Sequence, residues 1–218
     1  MTTTYKAAVI LAGGQGTRLY PFTLNLPKPL LPLGDYPILE VIVKQLQNQG
    51  FSRIVMAVNH QANLIMDYFG NGSDWGMQIK YIVEDKKLGT AGPLSLLDNT
   101  SFNESKYIVI NSDVCVNTDF HALVRYHIKA KNILTVCAKE HEYQIPYGVV
   151  QFDNDTVISI DEKPVSSCFV SAGIYLIDKT LLNLLDKNIY CDMPDYINKV
   201  KAHYNKVGLY PLHEAWLD

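Results

Sequence analysis

Residues 7–12 read AAVILA and are followed at once by the glycine pair Gly13 and Gly14. Six consecutive apolar residues leave no polar position for a solvated face, so a strand made from them must be covered on both sides, as in the middle of a parallel sheet. The run is far too short to cross a bilayer, and its flanks lack the pattern of a secretory leader. The next segment is unusual: GGQGTRLYPFTLNLPKPLLPLG carries three glycines near its start, one arginine and a lysine set between prolines. Such a segment cannot continue as one helix, because Pro21 and Pro27 interrupt it.

The rest of the first 140 residues alternates. From Pro37, ILEVIVKQLQNQG spaces its apolar residues a helical turn apart and ends at Gly50, a natural helix stop. RIVMAV (53–58) predicts a strand, NLIMDYF (63–69) a helix and MQIKYIV (77–83) a strand. GTAGPLSLLD predicts a glycine turn leading into a helix, KYIVINSD a strand that ends in an aspartate, DFHALVRYHIKAK an amphipathic helix and ILTVCAK a strand. Strands regularly separated by helices require a mostly parallel, Rossmann-like sheet flanked by helices on both faces. Beyond residue 140 the texture becomes β-rich: YGVVQFD and TVISIDEKP, joined through Asp153, Asn154 and Asp155, predict a hairpin, and FVSAGIYLID a further strand. NIYCDMPDYINKV (188–200) predicts a loop and a helix, with Met193 and Pro194 packing at its start and Asp192 or Asp195 as cap. A role of this segment in substrate choice or dimer formation is one hypothesis. The expectation is one domain over 1–218, with an α/β lobe at 1–140 and a smaller, β-rich lobe at 141–218 sharing a cleft.

Composition removes several alternatives. The formal net charge is −3 and no basic stripe accompanies the fourteen tyrosines, which argues against a nucleic-acid partner. No segment targets a membrane. Cys115, Cys137, Cys168 and Cys191 form no CxxC pair and predict reduced core thiols in a cytoplasmic protein. The six histidines show no HExxH spacing.

A glycine turn after a buried first strand lets backbone N–H groups approach phosphate oxygens. A P-loop would need a lysine that GGQGTRLY lacks, and a dinucleotide fingerprint would need a small third residue where Leu19 stands. What remains is a proline-stiffened loop that presents Arg18 and Lys28 around a polyphosphate.

This segment resembles the signature of the sugar-1-phosphate nucleotidyltransferases: the pattern GxGxRL, then a proline, a threonine and PKP, is met at Gly14, Gly16, Arg18, Leu19, Pro21, Thr23, Pro27, Lys28 and Pro29. The resemblance implies that Leu11, Ala12, Gly13, Gly14, Gly16 and Thr17 approach a nucleoside triphosphate, and that Arg18 and Lys28 act on its phosphates. VEDKKLGTAGPLSLL resembles the base-recognition segment, which implicates Glu84, Lys87, Gly89 and Thr90, with Asn111 also on the nucleotide. Asp113, at the tip of a predicted strand, is the implied Mg²⁺ ligand, together with Asp218 in HEAWLD. YGVV and DEKP resemble the sugar-binding pieces and implicate Gly148, Glu162 and Lys163. VSAGIY adds Ser171, where the family usually has asparagine, then Ala172 and Gly173. In relatives a glycine turn and a helix come after the WxD motif, so the chain is expected to be truncated at its C-terminal end.

The implied reaction joins a nucleoside triphosphate to a sugar 1-phosphate with release of pyrophosphate, and Arg18, Lys28 and Lys163 are its catalytic cations. The segment around KPLLPLG and LGTAG looks most like guanylyltransferases for mannose-, heptose- or glucosamine-1-phosphate, including enzymes that feed surface-glycan pathways. GTP is the expected nucleotide, with UTP, dTTP and CTP as alternatives. A catalytically silent regulatory relative and assembly into a homo-oligomer also stay open.

Overall fold

The computed structural model describes residues 6–97, 102 and 104–217. Its centre is a seven-stranded sheet. The strands are β1 (Ala7–Ala12), β2 (Arg53–Val58), β3 (Gln78–Val83), β4 (Lys106–Asn111), β5 (Leu134–Gln144), β8 (Val165–Asp178) and β9 (Val207–Leu212), in the spatial order β9-β5-β8-β4-β1-β2-β3. Pairing is parallel from β4 through β1 and β2 to β3, and between β5 and β9. β8 alone runs antiparallel to both its neighbours in this sheet.

The continuous apolar run reads out as expected. Ala8, Ile10 and Ala12 of β1 face one core, with Leu39, Ile42 and Leu46 of helix α1 (Ile38–Asn48) and Ile65 and Phe69 of α2 (Ala62–Phe69). The alternate residues Ala7, Val9 and Leu11 face a second core, completed by Met193, Tyr196 and Val200 of α4 (Met193–His203). Helix α3 (Phe120–Ala130) also packs on the first face, and Asp119 caps it by accepting from the backbone N–H of His121 and Ala122.

Three local expectations change. The LGTAG turn leads into a short 3-10 stretch, Gly92–Leu96, and not an α-helix; Pro93 near its start and the β-region Leu97 at its end bound it. The strand expected at ILTVCAK runs on to Gln144, because β8 supplies partners as far as Val165. Of the four cysteines only Cys137 is buried, and Cys168 is exposed on the extended part of β8.

That extended part positions the second half of the molecule. Ile174 of β8 pairs with Ile110 near the end of β4, whereas residues 165–171 pair only with β5, beyond the carboxyl edge of the parallel strands. The expected hairpin, β6 (Gly148–Asp153) with β7 (Thr156–Glu162), forms a separate two-stranded ribbon joined to the far end of this arm. No helix among the described residues is long and apolar enough to cross a membrane.

One polar network ties the back of the sheet together. His127 is fully buried; its Nε2 donates to Asp178 Oδ1 at 3.0 Å, and its Nδ1 lies 2.8 Å from the Thr135 hydroxyl. Lys106 pairs with the same aspartate oxygen. Burial pushes the Asp178 carboxyl up, but the hydrogen bonds from His127 and Lys106 outweigh it and hold it below the ordinary carboxylate range. A depressed acid stabilises the fold above its unfolded value of about 4 and loses that contribution as pH falls through the folded value. Asp178→Asn should therefore cost roughly 1–3 kcal/mol at pH 7, because Lys106 and His127 keep no full partner. The cost should shrink at pH 3, as read from urea midpoints at the two pH values.

Candidate active site

The carboxyl ends of β1, β3 and β4 lie on one edge of the sheet, where open parallel sheets bind ligands. A cleft of about 380 Å³ opens there, a size suited to a small-molecule ligand.

The loop after β1 builds one wall. It is folded on itself by Gly16, whose φ of 61° lies in the left-handed region; a Cβ there would come within 2.8 Å of Thr23 Cγ2 and 3.0 Å of Lys28 Cβ. Thr23 Oγ1 donates to the Gly16 carbonyl at 3.1 Å and closes the loop. Arg18 and Lys28, ten residues apart in sequence, thereby line the same cleft. Across it, Lys28 Nζ sits 2.6 Å from Asp113 Oδ2. Asp113 lies just past β4, whose last residue Asn111 pairs with Leu11 of β1. Asn111 also lines the cleft, and its buried Oδ1 has no hydrogen-bond partner among the described residues.

The opposite end is formed by the segment after β3. Glu84 is 7% exposed, its Oε2 accepts from the Leu88 N–H at 3.2 Å, and Asn59 Nδ2 donates to its backbone carbonyl. A Cβ on Gly13 would lie 2.4 Å from Glu84 Oε1, so only glycine allows this carboxyl to sit against the first loop. Burial raises the Glu84 carboxyl to about 7, against the lowering effect of the Leu88 N–H. Lys87, Gly89 and Thr90 continue this wall, as Leu11, Gly14 and Thr17 do the other.

The remaining candidates lie elsewhere. Ala12 is 1% exposed and belongs to the core, so any part it has in ligand contact is through its backbone. Gly148, Glu162 and Lys163 are on the β6–β7 ribbon and do not line the cleft. A Cβ on Gly148 would lie 3.2 Å from Glu162 Oε2, and Lys163 takes a φ of 46° just past the strand end. That bend breaks the alternation that would send adjacent side chains to opposite faces. Ser171 Oγ lies 2.9 Å from the Tyr175 hydroxyl. Ala172 is buried and accepts from Trp216 Nε1, and Gly173, at φ 69°, packs over the Asn111 amide. Asp218 lies outside the described residues. Its neighbour Leu217 pairs with Cys115, two residues from Asp113.

Tyr190 and Asp192, which precede α4, also line the cleft; the sequence offers a part in substrate choice for the whole 188–200 segment but singles out neither as a site residue. Asp192 occupies the cap position of α4, yet its carboxylate accepts from Thr90 N–H at 3.1 Å and from the Tyr190 hydroxyl at 2.6 Å. The hydrogen bond from Tyr190 lowers the Asp192 carboxyl and correspondingly raises the phenol. Sequence spacing holds no trace of a contact spanning a hundred residues.

An acid held protonated by the fold has the opposite linkage to Asp178. Unfolded Glu84 ionises near pH 4, so folding stability falls as pH climbs from there to about 7 and is flat above. Glu84→Gln should abolish that fall, which is measured as the difference between variant and wild-type urea midpoints at pH 5 and pH 8.

Residues 7–218 match the sequence profile of the Nucleotidyl transferase family. A mannose-1-phosphate guanyltransferase of Candida albicans is 35% identical over an aligned length of 221 positions that spans 96% of this chain and 60% of the relative. One from Debaryomyces hansenii is 34% identical over 185 residues, 82% of this chain and 51% of the relative. A UTP–glucose-1-phosphate uridylyltransferase of Synechocystis is 31% identical over 195 residues, 82% of this chain and 50% of the relative. This chain thus spans between half and three-fifths of the length of these relatives. Among solved structures, HddC from Yersinia pseudotuberculosis complexed with GMP-PN superposes with a TM-score of 0.76 at 24% identity, covering 98% of this chain and 93% of that one. A Bacillus anthracis protein in complex with a sucrose gives 0.75 at 26% identity, covering 97% and 89%. With a glycine loop, a cation pair and a strand-tip carboxylate on one sheet edge, and a profile match across residues 7–218, the chain belongs to the Nucleotidyl transferase family.

Proposed function

We propose that this chain condenses GTP with a sugar 1-phosphate, giving a nucleotide-diphosphate sugar and pyrophosphate. The observation that carries the reading is the convergence of Arg18, Lys28 and Asp113 on one cleft that also holds Glu84. The cations and the strand-tip acid suit a polyphosphate, and the buried carboxyl suits the edge of a base.

Guanine is favoured by simple complementarity. Its N1–H and N2–H₂ are adjacent donors, and an ionised carboxylate is an acceptor with two oxygens. Uracil presents one N–H between two carbonyl oxygens, which an ionised Glu84 would repel. The mannose-1-phosphate guanyltransferases among the relatives support the same choice.

In the proposed reaction a sugar-phosphate oxygen attacks the α-phosphorus in line. The nucleophile is already an anion, so no general base is needed, and catalysis is alignment with neutralisation of charge. Alignment alone can supply roughly 7–11 kcal/mol. Arg18 meets the departing phosphates and Lys28 the reacting ones, while Lys163, just past the β6–β7 ribbon, meets the sugar phosphate, and Gly148 and Glu162 of the ribbon with the Ser171–Gly173 segment of β8 meet the sugar.

Mg²⁺ fits the cleft in a substrate-borne mode. No group of three metal-ligating side chains occurs among the described residues, but Asp113 already accepts a cation, the Lys28 ammonium, at 2.6 Å. With Asp113 giving one oxygen and the phosphates the others, the ion would polarise the phosphoryl oxygens. Asp218 is a second candidate ligand.

Lys28→Ala should lower kcat by roughly 10²–10³-fold with the far-UV spectrum unchanged, as monitored by pyrophosphate release. Undiminished turnover would remove Lys28 from the mechanism. For base choice, the ratio of GTP to UTP affinity should rise from pH 6 to pH 8 as Glu84 ionises. Taking the ratio cancels titration of the phosphates, which both nucleotides share. Glu84→Gln should flatten this rise and weaken GTP by roughly 10- to 100-fold. A triphosphate panel in which UTP binds best at every pH would overturn the choice of guanine.

A further inference from the structure

The segment Ile189–Asp192 is clamped along the LGTAG turn. Cys191 N–H donates to the Leu88 carbonyl at 2.9 Å, and the Cys191 carbonyl accepts from Ala91 and Gly92 N–H at 2.9 and 3.0 Å. Asp192 Oδ1 accepts from both the N–H and the hydroxyl of Thr90, at 3.1 and 3.3 Å, and Thr90 Oγ1 in turn accepts from Met193 N–H at 2.7 Å. The two backbones are so close that a Cβ on Gly89 would lie 2.6 Å from the Cys191 carbonyl oxygen, and one on Gly92 would lie 2.7 Å from that of Ile189. Both glycines of the turn are therefore required by this strap, whatever the ligand does.

The strap also fixes an aromatic ring. Tyr190 is 52% exposed, lines the cleft, and is held at its tip by the 2.6 Å hydrogen bond from its hydroxyl to Asp192 Oδ2. An exposed ring on a freely moving side chain would be unremarkable surface. One pinned beside Gly89 and Thr90 presents a fixed apolar face. The location is the Glu84 end of the cleft, since Leu88, one residue before Gly89, donates to the Glu84 carboxyl. Asp192 spends its carboxylate on Thr90 and Tyr190, so its part is to hold the wall in place.

We infer that the strap completes the base subsite, with Tyr190 as the ring against which the nucleobase stacks and Asp192 as the positioning residue for the Gly89–Thr90 turn. The inference rests on the reading of the cleft as a nucleoside triphosphate site. A base hydrogen-bonded at its edge by Glu84 leaves its π-faces to be covered, and stacking on a preset ring costs little ordering. The larger purine surface gains more from this than a pyrimidine.

The test is calorimetric titration of GTP and of UTP, each with Mg²⁺, into the wild type and four variants, with thermal midpoints recorded alongside. Tyr190→Phe keeps the ring but loses the hydroxyl that pins it to Asp192, and should weaken GTP by less than Tyr190→Ala does. Tyr190→Ala should weaken GTP about 10-fold and UTP distinctly less. Asp192→Ala should weaken both nucleotides, GTP the more because Tyr190 also loses its anchor, and Asp192→Asn should restore most of the loss, since its amide oxygen still accepts from Thr90. A purely structural role for Asp192 would instead lower the thermal midpoints of both variants without that rescue in affinity. Wild-type GTP affinity in Tyr190→Ala, or equal losses of GTP and UTP there, would overturn the stacking role. A wild type that binds no triphosphate at all would instead sink the nucleotide reading itself.

Discussion

Lys28 and Asp113 are eighty-five residues apart in the chain and 2.6 Å apart in space, and most of what is particular to this molecule is arranged around that contact. Neither side chain is positioned by its own neighbours in sequence. Asp113 is placed by β4, which must lie beside β1 for its tip to reach the glycine loop. Lys28 is placed by a loop that turns back at Gly16 and is held by Thr23. Both groups are about a quarter exposed, so solvent screens the pair and its worth to folding is modest. Its meaning is geometric: a cation and an anion share one point at the rim of the cleft, and Arg18 lies in the same wall.

The opposite end of the cleft obeys a different constraint, close approach of main chains. Gly13 admits the Glu84 carboxyl, while Gly89 and Gly92 admit the strap before α4. In each case the atom in the way of a Cβ comes from a distant segment: residue 84 against residue 13, and residues 189 and 191 against the LGTAG turn. A ligand's need for nearby backbone would be one explanation of such glycines. Here the protein's own packing already accounts for them.

How much of this can be read from the chain alone differs by element. AAVILA announces its place because burial on both faces leaves no other pattern, and both cores receive its residues alternately. The same logic places the helices of the first half, whose apolar spacing is strong. The LGTAG segment reads as the start of an α-helix only because local propensity does not register Pro93 or the strap that pins the turn. Cys168 passes for a core thiol on composition, which cannot see that β8 runs beyond the sheet. Of the candidate site residues, those on the glycine loop and at the strand tips are legible since their spacing from a buried strand fixes their edge. Tyr190 and Asp192 are legible only as members of a segment with a hypothesised part in substrate choice, since tertiary packing alone brings them to the cleft. The residues of the β6–β7 ribbon are identified by resemblance and stand away from the cleft wall, on an arm whose direction no local pattern encodes.

Asp178 and Glu84, shifted in opposite directions, make a last contrast. Asp178 is partly buried, with a lysine and a histidine supplying charge-assisted hydrogen bonds, so the fold favours its anion. Glu84 is buried with one backbone N–H, so the fold favours its neutral form. Glutamine at position 84 would keep an acceptor for Leu88 without the cost of desolvating a charge, and stability by itself therefore gives no reason for a carboxyl there. A ligand with paired donors does: on binding it would supply the hydrogen bonds that ionised Glu84 lacks, and draw the proton off. On the proposed reading the desolvation penalty of the anion turns into selectivity, because a base edge with two donors would recover it, whereas a site satisfied in advance would have nothing left to recognise.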